Sequence, residues 1–410
     1  MKKEFMKCRI CKKNINQIFC DLGFSPLANS YTKKITEKEK FFPLKVFFCK
    51  NCKLPQLPEH QLASKIFTNY DYFSSYSKSW LEHSKKYVDQ IIKFAEINST
   101  SKIIEIASND GYLLQFFKEK NINVLGVEPA KNVANEAIKK GIKTEKFFFG
   151  KKTANEIKKK YGKQDLLIAN NVLAHVPNIL DFCKGVEIIL SPNGIATFEF
   201  PHFYNLVNKL QFDTIYHEHF SYLSAHSILK LFPKFDLKVF DIKRIKSHGG
   251  SLRIFVKHKN NKKNKVRPSV KKIFKLEKSS QLFSKKKFSN FNNKIKLIKK
   301  NTINLLAELR LRKKKIAAYG APAKGNTFLN YCMIDKSLIK FTVDKNPSKV
   351  GKFLPGSKIP IKNPIKIKFE KPDYIFILPW NLTKEIVNQI KKFYSSSNYI
   401  TAIPKLKIFK

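Results

Sequence analysis

Ile103-Ile104-Glu105-Ile106-Ala107-Ser108-Asn109-Asp110-Gly111 reads as a short apolar strand running into a tight turn, with a helix starting near Tyr112. Such a strand, turn and helix N-terminus make a nucleotide cradle, because the turn gathers backbone N–H groups at the positive end of the helix. The second apolar run, Val124-Leu125-Gly126-Val127, ends in Glu128. An acidic residue there, roughly 20 residues beyond the first strand, is placed to bind both hydroxyls of a ribose. Asp165-Leu166-Leu167-Ile168-Ala169 ends in Asn170-Asn171, which would line the same carboxyl edge. Gly194–Phe200 supplies a further strand, and Ser251–Val256 is expected to close the sheet. Apolar runs alternate with lysine-rich amphipathic segments from residue 100 onward, the pattern of a parallel α/β sheet. A dehydrogenase would show the full G-x-G-x-x-G, which is absent; Ala107 stands where glycine is usual.

The 410 residues are 43% hydrophobic, enough for two or more packed domains. No stretch is long and apolar enough to cross a bilayer, and Met1-Lys2-Lys3-Glu4 leads into no signal-like apolar core, so a cytoplasmic location without a membrane partner is expected. The net charge of +49 would ordinarily suggest nucleic acid. Only six of the cationic side chains are arginine, however, and the lysines are spread along the whole chain. Readers of nucleic acid favour arginine, whose planar fork fits phosphates and guanine edges. A general basic drift therefore accounts for the charge better than a nucleic-acid partner does.

Five of the seven cysteines fall within the first 52 residues. Cys8-Arg9-Ile10-Cys11 and Cys49-Lys50-Asn51-Cys52 are two C-x-x-C pairs, and two such knuckles close a tetrahedral four-sulfur zinc site. A closed site leaves no position for substrate, so its expected role is structural. Cys20 is a possible substitute ligand, and Phe47-Phe48 would supply a strand leading into the second knuckle. Cys183 and Cys332 stand alone in helix-like apolar surroundings and are expected to be packed thiols.

Tyr216-His217-Glu218-His219 follows the strand ending at Phe200 in loop-like sequence. His175 follows the Asn-Asn turn, and Tyr70 lies in Asn69-Tyr70-Asp71-Tyr72-Phe73. Imidazole, carboxylate and phenol on loops suit abstraction of a proton near neutral pH. A second metal site on His217 and His219 has no third ligand at matching spacing, and a purely structural loop is the remaining alternative.

The order of turn, acidic strand end and Asn-Asn strand end resembles the class I methyltransferases that use S-adenosylmethionine. With the four cysteines, Asn170-Asn171-Val172-Leu173-Ala174-His175-Val176-Pro177, Tyr216–Phe220 and Ser247-His248-Gly249-Gly250-Ser251-Leu252-Arg253, the chain resembles, over nearly its full length, the sugar C-methyltransferases acting on nucleotide-linked 4-keto-deoxyhexoses. In that family the carbon beside the ketone is deprotonated to an enolate and then methylated. The resemblance implies that His219 is the general base, with Tyr216 and Glu218 positioning it or the substrate, and that His175 and Tyr70 hold the sugar or the enolate oxygen. It implies a cofactor pocket of Glu105, Ala107, Asn109, Asp110, Gly111, Glu128, Pro129, Asn132, Asn170 and Asn171. Carbon chemistry also fits the residues themselves, since an oxygen methyltransferase needs only a hydroxyl and a mild base. That O-methyltransferase and a zinc-ribbon nucleic-acid protein are the competing readings.

Residues 258 to 315 read as a very basic connector with helical periodicity at Ile295, Ile298, Leu305 and Leu309. Beyond it, Ile316–Tyr319 leads into Gly320-Ala321-Pro322-Ala323-Lys324-Gly325-Asn326, and further strands are expected at Phe341–Val343, ending in Asp344, and Asp373–Leu378. Gly320, Gly325 and Asp344 suit a second nucleotide; the resemblance instead implies a domain that helps bind a nucleotide sugar, with thymidine diphosphate as the expected carrier and His248, Arg253, Gly320, Lys324 and Asn326 as contacts. The expected architecture is α/β: a zinc-binding domain at 1–68, a class I (Rossmann-like) methyltransferase domain at 69–258, a basic helical connector at 259–315 and a C-terminal Rossmann-like domain at 316–410.

Overall fold

The computed structural model describes residues 5–67 and 73–410. It divides into two compact units. The first comprises Met1–Gln17, Phe48–His202 and Phe220–Gln281, and the second Ile18–Phe47, Phe203–His219 and Leu282–Lys410.

The first unit is built on a seven-stranded sheet: β1 Lys102–Ile106, β2 Asn123–Val127, β3 Thr144–Glu145, β4 Gln164–Asn170, β5 Leu190–Pro201, β6 Leu237–Ile245 and β7 Ser251–His258. Across the sheet they run β3-β2-β1-β4-β5-β7-β6, with β7 antiparallel to both neighbours. This is the class I methyltransferase fold expected from the sequence. Ser251–His258 does not close the sheet, as had been expected of that run; it is an interior strand, and β6 forms the edge. The alternation Leu237-Lys238-Val239 carried the missing signal, cut short by the irregularity between Val239 and Asp241. Strand order reverses between β1 and β4, which opens a crevice at their carboxyl ends.

Helix α1, Lys78–Ala95, begins at Ser77, whose hydroxyl accepts the Trp80 N–H, and ends at Glu96 in the left-handed conformation. Its buried stripe of Tyr87, Val88 and Ile91 packs with Leu166, Ile168, Phe240 and Phe255 into the core of this unit. Glu199 on β5 stands opposite Arg253 on β7. Helix α2, Pro268–Ser279, completes the unit.

In the second unit the strands Ile18–Ser25 and Phe42–Cys49 pair antiparallel. Phe19 packs its ring on Phe203, Phe288 and Phe291 at 4.8–5.1 Å. Helix α3, Lys285–Leu311, is capped by Ser284 and buries Phe288, Phe291, Ile295, Ile298, Leu306 and Leu309. The buried position is Leu306 rather than its half-buried neighbour Leu305. A six-stranded sheet follows: β8 Ile316–Tyr319, β9 Thr342–Val343, β10 Ile361–Lys362, β11 Tyr374–Ile377, β12 Asn398–Thr401 and β13 Lys407–Phe409. Its order is β10-β9-β8-β11-β12-β13, parallel except for β13, so its switch point lies at the end of β8. Helix α4, Ala323–Cys332, starts there. Cys183 and Cys332 are fully buried in helices, as expected of packed thiols. No helix among the described residues is long and apolar enough to cross a membrane.

Candidate functional site

In the first unit, Cys8, Cys11, Cys49 and Cys52 bring their sulfurs within 4.8 Å of one another. Zinc–sulfur bonds of about 2.3 Å in a tetrahedron require sulfurs about 3.8 Å apart, and Cys11 Sγ lies 3.7 Å from Cys49 Sγ. The residue after each knuckle, Lys12 or Lys53, is left-handed, so both loops turn the same way. These four thiols fit a structural zinc ion. Cys20 is not among them; it lies buried in the second unit, where loss of solvation raises its thiol pKa.

At the crevice end of β1 the chain turns through three left-handed residues, Ala107 (φ +55°), Asn109 (φ +50°) and Gly111 (φ +74°). The turn is tied to the end of β2: Ser108 N–H donates to the Val127 carbonyl at 3.2 Å, and Asn109 N–H donates to Glu128 Oε2 at 2.9 Å. Glu128 Oε1 accepts the Ala130 N–H at 2.8 Å. Each carboxylate oxygen retains a further lone pair for a ribose hydroxyl. Burial pushes the Glu128 pKa up to about 7, despite the two N–H donors. Glu105 is raised too, mainly by burial, with a hydrogen bond from Tyr112 opposing. Pro129 and Asn132, just beyond Glu128, are half-buried.

The buried polar atoms here test whether S-adenosylmethionine fits. Both amide atoms of Asn170, Asn171 Oδ1, Asp110 Oδ1 and Ser108 Oγ are buried and have no hydrogen-bond partner among the described residues. Native interiors rarely leave so many groups unsatisfied, so this edge has the donors and acceptors for a polar ligand. Gly126 lets the turn pack closely on β2, since a Cβ there would lie 2.5 Å from Ser108 Oγ. His248 Nε2 lies 3.4 Å from the Asn171 amide nitrogen, and its ring meets Trp80 edge-on at 5.1 Å. His175 occupies the turn Leu173–His175 and packs edge-on against Phe67. Arg253 is buried, donates from Nε to Glu199 Oε1 at 2.6 Å, and lies over the Tyr87 ring. Tyr70 lies outside the described residues.

In the second unit, the loop Tyr216–His219 is almost entirely buried, with only Tyr216 half-exposed. His219 Nδ1–H donates to the Thr214 carbonyl at 2.7 Å. A carbonyl can only accept, so this bond puts the proton of the neutral imidazole on Nδ1 and leaves Nε2 as its basic nitrogen. The Tyr216 ring covers His219 at 4.0 Å, whereas His217 is turned toward the Pro43 carbonyl at 3.3 Å. Both Glu218 oxygens accept from the Asn29 amide nitrogen, at 2.7 and 3.0 Å. Burial pushes the Glu218 pKa up to about 7.

Nothing in the sequence around Asn29, Tyr31 or Lys349 marks them, yet all three bond to the segments that carry Glu218 and Lys324. Tyr31 O–H and Lys349 Nζ both donate to the Ala321 carbonyl, at 2.6 and 2.9 Å. The Asn326 amide donates to the Ala28 carbonyl at 2.6 Å. The segment Ala28–Tyr31 thus bonds both to the Glu218 loop and to the turn Gly320–Asn326. Gly320 is left-handed (φ +90°) and tightly packed against Pro379. Asp344 accepts from Ala321 N–H of the turn after β8 at 2.7 Å and from Asn346 N–H of its own turn at 2.8 Å, one donor to each oxygen. Lys324 donates to Asn381 Oδ1 at 2.6 Å and lies over the Trp380 ring at 5.0 Å.

Three family models match successive parts of the chain: "Putative zinc binding domain" over residues 8–67, "Methyltransferase domain" over 80–242 and "C-methyltransferase C-terminal domain" over 246–404. The chain is 31% identical over 405 residues to C-methyltransferase NovU of Streptomyces niveus, covering 98% of this chain and 96% of that protein. Among solved structures, a SAM-dependent methyltransferase from Anabaena variabilis is 14% identical and covers 47% of this chain and 88% of its own, with a TM-score of 0.35. An S-adenosylmethionine-dependent methyltransferase from Clostridium acetobutylicum is 13% identical, covering 43% and 92%, with a TM-score of 0.35.

Proposed function

The chain belongs to the C-methyltransferase family, and we propose that it methylates a nucleotide-linked 4-keto-deoxysugar on the carbon beside the ketone. It is an S-adenosylmethionine-dependent enzyme with a zinc-binding domain. The observation that carries the proposal is the Nδ1–H bond from His219 to Thr214, which leaves Nε2 as the basic nitrogen of the ring. Carbon becomes nucleophilic only after an α-proton is removed, and a neutral imidazole suits that step.

In this reading His219 Nε2 takes the α-proton, and the resulting charge spreads onto the ketone oxygen as an enolate. Tyr216 holds the imidazole plane from one side. Glu218, fixed by Asn29 and titrating near neutrality, orients the sugar by hydrogen bonding. His175 and Tyr70 are assigned to the ketone oxygen, and His248 to the substrate beside Asn171. Lys324 is assigned to the diphosphate of a thymidine-linked substrate, with Gly320 and Asn326 shaping its turn. Glu128 would hold the cofactor ribose, and Asp110, Asn170 and Asn171 its remaining polar groups. When bound, S-adenosylmethionine supplies an electrophilic methyl group on a sulfonium.

The test uses thymidine diphosphate 4-keto-6-deoxyglucose in deuterated water. The wild type should incorporate deuterium at the carbon beside the ketone, and His219→Asn should abolish this while still binding S-adenosylhomocysteine. Full methyl transfer by His219→Asn, or a methylated oxygen in the product, would overturn the reading.

A further inference from the structure

We propose that Asp213 is a positioning residue, joining the turn that carries Lys324 to the loop that carries His219 and so fixing the imidazole tautomer through Thr214. The inference rests on the reading of His219 as the base and Lys324 as the substrate-anion contact.

Phe212, Asp213 and Thr214 form a single 3-10 turn. Asp213 is 1% exposed, and its Oδ2 accepts the indole N–H of Trp380 at 2.6 Å. The same indole lies under the Lys324 ammonium. On one side of Asp213, the Phe212 ring packs against Phe328 and Tyr331 of α4 at 5.8 and 5.0 Å. On the other, Thr214 bonds twice to the Gln211 carbonyl, through N–H at 3.1 Å and Oγ1 at 2.7 Å, and offers its own carbonyl to His219. The carbonyl that sets the tautomer is therefore one residue from a carboxylate anchored to Trp380, the ring beneath Lys324.

Packing alone does not account for an aspartate here. Burial pushes its pKa up to about 6, and the nearby Lys324 charge only partly offsets the cost. A well-packed apolar side chain often stabilises a buried site at least as well as a charged pair. What the carboxylate adds is direction, because it must face both an N–H and a cation.

The test is imidazole nitrogen-15 spectroscopy on the full-length protein, with the His219 signals assigned by His219→Asn. Trp380→Phe keeps the ring and deletes the N–H; Asp213→Asn keeps the shape and deletes the charge. In the wild type His219 should carry its proton on Nδ1 at neutral pH. In either folded variant the tautomers should become mixed, with Nδ1–H exchange with solvent about fivefold faster or more, as loss of one hydrogen bond allows. On a turned-over keto-sugar, kcat should fall roughly 10- to 100-fold while KM stays within about threefold. A purely structural role would lower the melting temperature and leave the His219 signals unchanged. Signals of both variants superimposing on those of the wild type overturn the proposal. Full methyl transfer by His219→Asn would overturn the underlying assignment of the base, while the tautomer measurement would still decide the role of Asp213.

Discussion

One amide nitrogen of Asn29 bonds both carboxylate oxygens of Glu218, 189 residues further along the chain, at 2.7 and 3.0 Å. This contact satisfies the carboxylate without neutralising it, so burial dominates and raises the Glu218 pKa from 4.5 to about 7. Between those values the native state holds a proton that the unfolded chain has released. Stability therefore falls as pH rises through this window, by about 3 kcal/mol in all. Glu218→Gln should match the wild type in urea at pH 4.5 and be more stable at pH 8, by up to about 3 kcal/mol. Equal gaps at both pH values would refute the raised pKa. The variant should lose turnover, as groups kept at a cost to stability often serve function.

The left-handed Ala107 makes a second prediction. A Cβ in that conformation costs about 1–2 kcal/mol, and the greater freedom of glycine in the unfolded chain returns about 0.5–1 kcal/mol of that. Ala107→Gly should therefore stabilise the protein by about 0.5–1 kcal/mol in urea. S-adenosylhomocysteine should bind with unchanged affinity in a calorimetric titration. A destabilised variant would show that the turn does not require a positive φ.

The four thiols predict one zinc ion per chain by elemental analysis. Cys11→Ser or Cys49→Ser should lose it, because each removes one corner of the tetrahedron, whereas Cys20→Ser should retain it. Chelation should lower the melting temperature, since the energy of metal binding is also energy of folding. Full activity in a zinc-free, still folded enzyme would remove the metal from any structural role.

What was legible in the sequence was local. The strands ending at Ile106, Val127 and Asn170 each carry an apolar run punctuated by a polar or acidic residue, and both cysteine knuckles are contiguous motifs. Strand Leu237–Ile245 is hard to read because an irregularity between Val239 and Asp241 breaks its alternation, leaving Val239–Ile242 buried in a row and Lys243-Arg244 exposed in a row. Asn29, Tyr31 and Asp213 were missed for another reason: their side chains matter only through partners 167 to 290 residues away. Nothing in the neighbourhood of Asn29 marks it, and the separation of Ile18–Phe47 from the flanking cysteine knuckles is a tertiary fact. The Tyr-His-Glu-His run offers groups suited to proton transfer, but does not tell which of its histidines has Nε2 as the basic nitrogen. The carbonyl of Thr214 decides that, and a backbone acceptor leaves no trace in side-chain pattern.

Glu277 in the first unit should respond to pH in the opposite sense to Glu218. It is fully buried and accepts from His202 Nε2–H at 2.7 Å, His226 Nδ1–H at 2.6 Å and the Ala225 backbone N–H at 2.6 Å. Burial opposes its charge most strongly, yet these donors together prevail and lower its pKa from 4.5 to about 2. The stabilisation is complete above pH 4.5 and is lost as pH falls from there toward 2, amounting to about 3 kcal/mol. Glu277→Gln offers one carbonyl to donors that two oxygens now serve, so it should be about 3 kcal/mol less stable than the wild type at pH 7. The gap should close as pH approaches 2, where the wild-type carboxyl is protonated as well. Urea midpoints at pH 7, 4 and 2.5 measure it, and a gap that stays constant would show that the two imidazoles hold Glu277 by shape and not by charge.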